Sequence, residues 1–329
     1  MSGWQVSTGP ASTGPAGAGP AGARLTPAQV AGALDLAQAA TAADRIGPLS
    51  EHVLLHLRYD GDSAGDGAGR GRDFVVSAGD QIAGYGYLDP PGADGEASGE
   101  LVVHPAHRRQ GIGRVLLDAL ITAAGEHPLR VWAHGDLPPA TRLAQASGFE
   151  RFRALWQMRR PLDETFGEPV LPPGRVLRPF VPGQDEDEWL ALNGRAFAKH
   201  PEQGAWTRHD LDLREREPWF DPAGFFIATH DGVMTGFHWT KVHPAGEQAD
   251  GPVGEVYVVG VDPAEQGSGL GRALTQAGLR YLRGLGLAQV LLYVDEDNAP
   301  AIQMYQRLGF ERTRTDAMYR RPPGPRSSR

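Results

Sequence analysis

The amino-acid sequence predicts an α/β protein of two tandem domains, each a mixed central sheet flanked by helices. Three observations lead to this prediction. A domain-length pattern occurs twice, a proline-rich stretch separates the two copies, and each copy places a glycine-rich loop between an apolar strand and an amphipathic helix. The chain has 329 residues, of which 40% are hydrophobic, so it is long enough to bury two cores.

Composition and charge exclude several classes of protein. The absence of cysteine excludes disulfides, thiolate metal sites and a catalytic thiol. The 32 basic and 40 acidic residues give a net charge of −8, which disfavours nucleic acid as a partner. The sequence has no apolar run of about 18 residues, and residues 1–23 lack the order of a signal peptide. We therefore expect a cytoplasmic monomer with no membrane partner.

Residues that break regular structure set the predicted domain bounds. Residues 1–23 are almost entirely Gly, Pro, Ala, Ser and Thr, so we expect a disordered tail. Residues 161–174 contain four prolines and no apolar period, which predicts a linker. The linker separates an N-terminal domain of residues 24–160 from a C-terminal domain of residues 175–322, and a tail of residues 323–329 follows.

An internal repeat relates the two halves. Gly111 and Gly269 lie 158 residues apart, and Gly148 and Gly309 lie 161 residues apart, so the offset is nearly constant over several elements. A period of this length indicates the duplication of a whole domain rather than a solenoid. Each half reads as a hairpin, an apolar strand, a glycine loop, a helix, a strand, a short helix and a final strand.

Local signals predict these elements individually. Thr26 is a suitable N-cap for a first helix with Pro27 at its first position. The hairpins are predicted to turn at Gly79-Asp80 and at Asp231-Gly232. Two nearly continuous apolar runs, Leu101–Val103 and Val256–Val261, are typical of buried central strands, and apolar residues recur at helical spacing after each glycine loop.

The two glycine loops carry the clearest functional signal. RRQGIG at residues 108–113 and QGSGLG at residues 266–271 share the form [R/Q]-x-x-G-x-G. Backbone N–H groups at such a strand-to-helix turn suit a pyrophosphate, and glycine allows it to approach closely. A tight turn without a ligand is the alternative for a single G-x-G. The dinucleotide-binding fingerprint is a competitor, but its third glycine is absent after Gly271, as is the lysine of a P-loop.

This arrangement resembles the GCN5-related N-acetyltransferase (GNAT) superfamily over both halves, from about residue 25 to residue 321. Within it, the two-domain chain and the strings HPEQGAW, WFDPAGF, GFHWTKVHP and GEVYVVGVDP resemble the mycothiol synthase family. The resemblance implies acetyl transfer from acetyl-CoA to the cysteinyl amine of desacetylmycothiol (cysteinyl-glucosaminyl-inositol), giving mycothiol and CoA. The alternatives are acetylation of another small amine, such as an aminoglycoside, or of a protein N-terminus, and a CoA-binding regulatory module without turnover.

The resemblance also implies which residues contact acetyl-CoA. In the superfamily, the strand before the loop pairs with the pantetheine arm, the loop binds the pyrophosphate, and a later helix adds a contact. In the C-terminal half, the corresponding residues are Val259, Gly260, Val261, Gln266, Gly267, Ser268, Gly269, Leu270, Gly271, Arg272, Asn298, Ala299, Pro300, Ala301, Ile302 and Gln303. In the N-terminal half, they are Leu101, Val102, Val103, Arg109, Gln110, Gly111, Ile112, Gly113 and Arg114.

Two residues of the C-terminal half suit the proton transfers of acyl transfer to an amine. The ammonium must lose a proton, and the departing thiolate must gain one. Glu255 opens the central strand and is the candidate general base; the alternative is an ordinary charged residue at a strand end. Tyr305, on a helix that Asn298 caps, is the candidate general acid; the alternative is aromatic packing under the helix.

The N-terminal half lacks both residues at the corresponding positions. The loop offset aligns Glu255 with Ala97, and the helix offset aligns Tyr305 with Ala144. Glu100 lies three places further on, and an odd shift along a strand predicts the opposite face of the sheet. We therefore expect the C-terminal half to be the catalyst and the N-terminal half to be structural or to bind CoA without turnover.

The acceptor pocket is predicted only through the resemblance, which assigns acceptor contacts to Glu51, Glu202, Lys241, Glu255 and Tyr293. From the residues alone, Glu51 is better explained as an acidic residue at the N-terminus of a helix. Three histidines, His200, His238 and His243, are candidates for a zinc site, but they have no zinc-binding spacing, so no metal site is expected.

Overall fold

The computed structural model describes residues 4, 6–7, 24–59, 71–92, 94–163 and 166–322. The predicted tail at residues 323–329 and most of the predicted tail at residues 1–23 lie outside this set. The chain divides into two compact units, Trp156–Arg314 and Met1–Leu155 together with Thr315–Arg329. Along the described ranges, no helix combines the length and the hydropathy needed to cross a membrane.

The N-terminal unit is a mixed sheet with helices on both faces. Its strands lie in the order β1-β2-β3-β4-β11, where only β3 and β4 are parallel. The elements are α1 (Pro27–Asp44), α2 (Glu51–Tyr59), β1 (Arg72–Ala78), β2 (Gln81–Asp89), β3 (Ala97–Val103), α3 (Ile112–Ala124), β4 (Leu129–Ala133), α4 (Pro138–Ala146) and, from Thr315 onward, β11 (Glu311–Arg321). Helix α3 packs on one face, and α1 and α2 cover the other.

The C-terminal unit repeats this plan. Its strands lie in the order β5-β10-β9-β8-β7-β6, and β9 and β10 are parallel. The elements are, from Trp156 onward, β5 (Glu150–Pro161), then β6 (Arg175–Pro179), α5 (Glu186–Ala196), α6 (Pro201–Gly204), α7 (Arg208–Glu215), β7 (Phe225–His230), β8 (Val233–His243), β9 (Val253–Val261), α8 (Leu270–Gly284), β10 (Gln289–Asp295), α9 (Ala299–Arg307) and, up to Arg314, β11. Helix α8 packs on one face, while α5 and α7 cover an aromatic core on the other.

The local predictions are confirmed. Thr26 caps α1, since its Oγ1 accepts from the Gln29 N–H at 3.2 Å and the Gln29 side chain accepts from the Thr26 N–H at 2.9 Å. Both hairpins turn at the predicted pairs, between β1 and β2 and between β7 and β8. From the hairpin to the final strand, the two halves have the same series of strands and α-helices, so the predicted repeat and the predicted α/β class are confirmed.

The compact units divide the chain differently from the predicted domains at the last strand of each repeat. Strand β11 ends the second repeat but pairs antiparallel with β4, from Ala317 opposite Ala133 to Arg321 opposite Leu129. Strand β5 ends the first repeat but lies beside β10. Strands pair through backbone groups that are the same in both copies, so the sequence repeat does not specify which sheet a final strand joins.

Candidate active site

In both units, the parallel strand pair at the centre of the sheet opens after three residue pairs. The ladder between β9 and β10 runs only from Gly254 to Val256, and the ladder between β3 and β4 runs only from Ala97 to Gly99. On their other edges, β9 stays paired with β8 to Val261, and β3 stays paired with β2 to Val103.

Within the described residues, one edge of each of these strands is therefore unpaired: the edge of β9 that faces β10, over residues 257–261, and the edge of β3 that faces β4, over residues 100–103. Backbone donors and acceptors at such an edge are available to an extended ligand. The residues predicted to hold the pantetheine arm lie in these open stretches: Leu101, Val102, Val103, Val259, Gly260 and Val261.

The glycine loops have nearly the same conformation in the two units. Gly269 and Gly111 are the N-caps of α8 and α3, with φ, ψ of 90°, −2° and 89°, −6°. Glycine suits this region because a side chain there is strained. Two positions earlier, Gly267 has φ 81°, and Arg109 takes up the same left-handed region at φ 65°.

The loop before α8 presents backbone donors at a helix N-terminus. Among the described residues, the N–H groups of Gly267, Gly269 and Gly271 find no acceptor. The Ser268 hydroxyl donates to the Glu265 carbonyl at 2.7 Å and accepts from the Leu270 N–H at 3.3 Å, so it fixes the loop. A helix N-terminus with free N–H groups and a positive dipole end suits an anionic phosphate.

The helix that the sequence assigns to a further CoA contact lies next to this loop. Asn298 caps α9, because its Oδ1 accepts from the Ala301 N–H at 3.2 Å. A Cβ atom added to Gly271 would lie 4.0 Å from the Met304 sulfur on α9. The predicted contact residues form the N-cap and first turns of this helix: Asn298, Ala299, Pro300, Ala301, Ile302 and Gln303.

Tyr305 lies on α9 and keeps its proton. Its ring packs in the core with Ile302 and stands edge-to-face against Phe310 at a centroid distance of 5.7 Å. Burial raises the pKa of Tyr305 to about 12, so the phenol is neutral across the physiological range. Its hydroxyl makes no hydrogen bond with any part of the chain that the structure describes. The phenol therefore holds its proton, and its hydroxyl is free to donate a hydrogen bond to a group placed beside it.

Glu255 is buried and makes a short contact with a histidine. Its carboxylate Oε2 lies 2.6 Å from Nε2 of His243, the last residue of β8. Glu255 lies directly opposite Lys241 on β8, and its Cα is paired with that of Leu291 on β10. It therefore lies at the point where β9 and β10 separate.

A bulge in β9 corrects the comparison of Glu255 with the N-terminal half. Thr240 lies opposite Val256 and Trp239 lies opposite Val258, so Tyr257 is an extra residue in the strand. Val256 and Gly99 both end their parallel ladders, which aligns Glu255 with Ser98 rather than with Ala97. The expectation that Glu100 lies on the opposite face is therefore wrong, because the inserted residue reverses the alternation of side chains.

Glu100 faces α2, yet it is committed to internal contacts. Its carboxylate accepts from the Ser50 N–H at 2.6 Å and lies 3.5 Å from Nε2 of His134, whose Nδ1 is 3.3 Å from Asp316. Burial by itself lowers the pKa of His134, but the hydrogen bonds and charges of Asp316 and Glu100 raise it to about 10. The buried Ala144 occupies the place that corresponds to Tyr305.

Three of the predicted acceptor contacts come together on one face of the C-terminal sheet. Lys241 and Glu255 are cross-strand neighbours, and Tyr293 lies two residues beyond Leu291, the partner of Glu255 on β10. The Lys241 ammonium lies 4.5 Å from the centroid of the Trp219 ring. Glu51 begins α2 in the N-terminal unit, and the side chain of Glu202 lies outside the described residues. Glu51 and Glu202 therefore remain predictions from the resemblance.

Sequence reasoning missed several neighbours of this face. His243 contacts Glu255, Tyr257 accepts from the Arg214 guanidinium at 2.8 Å, and Gln157 donates to the Tyr293 hydroxyl at 2.8 Å. The two-residue spacing of Lys241 and His243 in a predicted strand was the available signal for His243. The sequence gives no comparable signal for Gln157 or Trp219, because only the fold brings them to this face.

His238, by contrast, is a core residue. It is fully buried beneath α8, and its Nδ1 lies 2.7 Å from the Leu274 carbonyl oxygen. Burial lowers the pKa of His238 to about 4, so the ring is neutral at physiological pH. This environment is that of a packed histidine that supports the helix above it.

Comparison with known proteins gives a consistent result. The sequence model of the "Acetyltransferase (GNAT) family" matches residues 189–310, and that of an "Acetyltransferase (GNAT) domain" matches residues 70–151. The chain is 56% identical to a mycothiol acetyltransferase of Thermobispora bispora, over 91% of this chain and 98% of that protein. It is 55% identical to a mycothiol acetyltransferase of Thermomonospora curvata, over 91% and 96% of the two chains.

A solved structure with the same duplication is also similar. A tandem GNAT protein from the clavulanic acid biosynthesis pathway superposes with a TM-score of 0.67 at 25% identity. The match covers 90% of this chain and 95% of that protein. The similarity therefore extends over both units.

Proposed function

The chain belongs to the mycothiol acetyltransferase family of tandem GNAT enzymes, and on this premise we propose that its C-terminal unit catalyses the reaction. The enzyme is an acyltransferase that moves the acetyl group of acetyl-CoA to the cysteinyl amine of desacetylmycothiol, giving mycothiol and CoA. The assignment to this unit rests on four features that occur in it together: the open edge of β9, the glycine loop, Glu255 and Tyr305.

Acetyl-CoA binds along the open edge and at the loop. Val259, Gly260 and Val261 pair with the pantetheine arm, which directs the pyrophosphate to the N–H groups of residues 266–272. The N-terminus of α9 adds a contact through residues 298–303. The unpaired strand edge and the unpaired loop donors support this assignment, because each satisfies a different part of an extended anionic ligand.

The reaction needs one proton acceptor and one proton donor. Glu255 takes a proton from the acceptor's ammonium, directly or through water, which frees the nitrogen lone pair. The nitrogen attacks the thioester carbonyl, a C–N bond forms and the C–S bond breaks. Tyr305 gives its proton to the departing sulfur. The nitrogen then loses its second proton, which returns to the tyrosinate through solvent, so the products are a neutral amide and a neutral thiol and Glu255 retains one proton. The burial of both residues beside the opened strands supports these roles.

The N-terminal unit binds CoA without turnover in this proposal. Its loop has the same conformation at Gly111, and residues 101–103 and 109–114 provide the corresponding contacts. Two differences support the absence of catalysis. The Glu100 carboxylate accepts a hydrogen bond from the Ser50 N–H, and Ala144 stands where a proton-donating tyrosine is needed.

The acceptor approaches the face that carries Lys241, Glu255 and Tyr293. A carboxylate, an ammonium and a phenol together provide both hydrogen-bond donors and hydrogen-bond acceptors, which suits a polyhydroxylated acceptor with a protonated amine. The register of β8, β9 and β10 supports this assignment, since it places the three side chains together.

Mass spectrometry of the reaction product tests the proposed function. With acetyl-CoA and desacetylmycothiol, the product gains one acetyl group on nitrogen and keeps a thiol that a maleimide can alkylate. Stable acetylation at sulfur, or no reaction while an aminoglycoside is acetylated, would overturn the acceptor assignment. Separate measurement of CoA release distinguishes loss of acceptor specificity from loss of all turnover.

A further inference from the structure

We infer that His243 is a positioning residue that holds the Glu255 carboxylate ready to accept the proton of the acceptor amine. The inference rests on the proposed role of Glu255 as the base. Sequence reasoning considered His243 only as a metal ligand, and the proposed mechanism does not otherwise use it. It acts through Glu255 and makes no contact with the reacting atoms.

The geometry of the pair fixes the orientation of the carboxylate. His243 Nε2 lies 2.6 Å from Glu255 Oε2, and the two side chains are only 9% and 8% exposed. Charged groups that meet at this distance form strong, directional hydrogen bonds. The other carboxylate oxygen, Oε1, makes no hydrogen bond with any described residue. Oε1 is therefore the oxygen available to the amine or to an intervening water.

The imidazole is itself fixed from its other side. His243 Nδ1 lies 3.2 Å from the Glu247 carboxylate, on the loop that follows β8. Glu247, His243 and Glu255 thus form a chain in which a single ring contacts two carboxylates. The spacing along β8 places His243 on the same face as Lys241, and Tyr293 lies on that face from β10. Among the described residues, this face also carries Tyr257, whose ring lies 5.3 Å from the Lys241 ammonium and whose hydroxyl accepts from Arg214.

The charges favour an imidazolium in this position. Burial lowers the pKa of His243, as does Lys241, whereas the hydrogen bonds with Glu247 and Glu255 raise it. The net result is a pKa above the ordinary value for histidine. An imidazolium in contact with Oε2 holds the carboxylate in one orientation and leaves Oε1 available to the amine.

Kinetics as a function of pH test this role. His243→Gln keeps a donor but removes the positive charge, and Glu247→Gln is the matched control because it leaves the contact between His243 and Glu255 intact. In His243→Gln, the acid limb of kcat/KM for the amine should move upward by about one pH unit, which corresponds to about a tenfold loss on that limb. At high pH the loss should be only a few-fold, and Glu247→Gln should show the smaller shift.

A double variant separates a positioning role from a purely structural one. If His243 acts through Glu255, then His243→Gln combined with Glu255→Gln should be no more than about twofold slower than Glu255→Gln alone. Two results would overturn the inference: a loss that is the same at every pH, or losses that multiply in the double variant. Either result would leave the acetyltransferase activity itself in place.

Nuclear magnetic resonance tests the contact independently of catalysis. The ¹⁵N resonances of the His243 ring, assigned by comparison with His243→Gln, should titrate at a lower pH in Glu255→Gln than in the unmodified protein. An unchanged midpoint would overturn the inference even if Glu255 proved essential. If instead Glu255→Gln retained full activity while the titration shifted, the proposed base would be wrong, and the positioning role would fall with it.

Discussion

The difference between Glu255 and Glu100 is set by what each carboxylate touches. Both are buried on the face of the sheet that carries the first helix of their unit, and both are engaged through Oε2. Oε2 of Glu100 accepts from the Ser50 N–H and lies 3.5 Å from His134, whereas Oε2 of Glu255 lies 2.6 Å from His243. Residue type alone predicted Glu255 and Tyr305 as candidates. It placed Glu100 on the wrong face, because a single inserted residue, Tyr257, is invisible in a comparison that uses one constant offset.

Removal of the Tyr305 hydroxyl tests its role as the acid. Tyr305→Phe keeps the ring that packs beside Ile302 and Phe310, so the fold should be unchanged. If the phenol protonates the departing sulfur, kcat should fall by about 10²–10⁴-fold, while the Kd for acetyl-CoA, measured by calorimetry, should stay the same. An unchanged kcat under conditions where acetyl transfer limits the rate would show that Tyr305 is only a packing residue.

The ion pairs of His134 make the stability of the N-terminal unit depend on pH. The pKa of His134 is raised to about 10 in the folded state, and its ordinary value is about 6.5. The stabilisation is therefore complete below about pH 6.5 and is lost as pH rises through about 10, at no more than about 1.4 kcal/mol per pH unit. His134→Asn should remove this part of the slope.

Hydrogen exchange of peptides from β3 and β4 measures this local effect after correction for the intrinsic exchange rate. Peptides from β9 in the same samples serve as an internal control for the substitution. Their response to pH should be the same in both proteins, because His134→Asn leaves the contact between His243 and Glu255 unchanged. If β3 and β4 lose protection with pH equally in His134→Asn and in the unmodified protein, the histidine does not carry the effect.

At the scale of elements, the two strand–loop–helix segments could be predicted well. The loops follow apolar strands and open amphipathic helices as expected, and their N-cap glycines have matching dihedral angles. The three-pair length of each parallel ladder could not be predicted. It depends on how neighbouring strands twist apart, and the apolar runs of β3 and β9 do not encode that divergence.

The glycine at the N-cap of α8 provides a test at this scale. A Cβ atom on Gly269 would meet nothing within 4 Å, so the cost of Gly269→Ala comes from its φ of 90° and from obstruction of the phosphate. KM for acetyl-CoA should rise by about tenfold or more, since 1.4 kcal/mol corresponds to a factor of ten. Initial rates over a range of acetyl-CoA concentrations measure the change.

Two matched variants interpret that result. Gly286→Ala introduces a side chain at φ 79°, also into open space, but away from the loop, so it reports the general cost of such strain. Gly111→Ala makes the same change at the N-cap of α3, in the N-terminal unit. Both should keep KM for acetyl-CoA within about twofold. A larger effect at Gly111 than at Gly269 would assign productive acetyl-CoA binding to the other unit.

For the whole molecule, the duplication could be predicted, but the sheet that each final strand joins could not. Residue offsets and breaker residues identified two copies of one fold. In the structure, β11 completes the N-terminal sheet, and its Ala317 and Tyr319 are buried in that unit's core. The second half of β11 is therefore part of the N-terminal unit, which means that cutting the chain at the predicted linker would remove a core strand from that unit.

The central claim is that one of two similar units performs the chemistry, and a pair of isosteric variants tests it most directly. The measurement is kcat for N-acetylation of desacetylmycothiol by Glu255→Gln and Glu100→Gln, with folding verified by circular dichroism. Glu255→Gln should lower kcat by about 10²–10⁴-fold, with partial rescue at high pH where more amine is already neutral, and Glu100→Gln should retain most of the activity. A folded Glu100→Gln protein without activity, beside an active Glu255→Gln protein, would contradict the account and assign catalysis to the N-terminal unit.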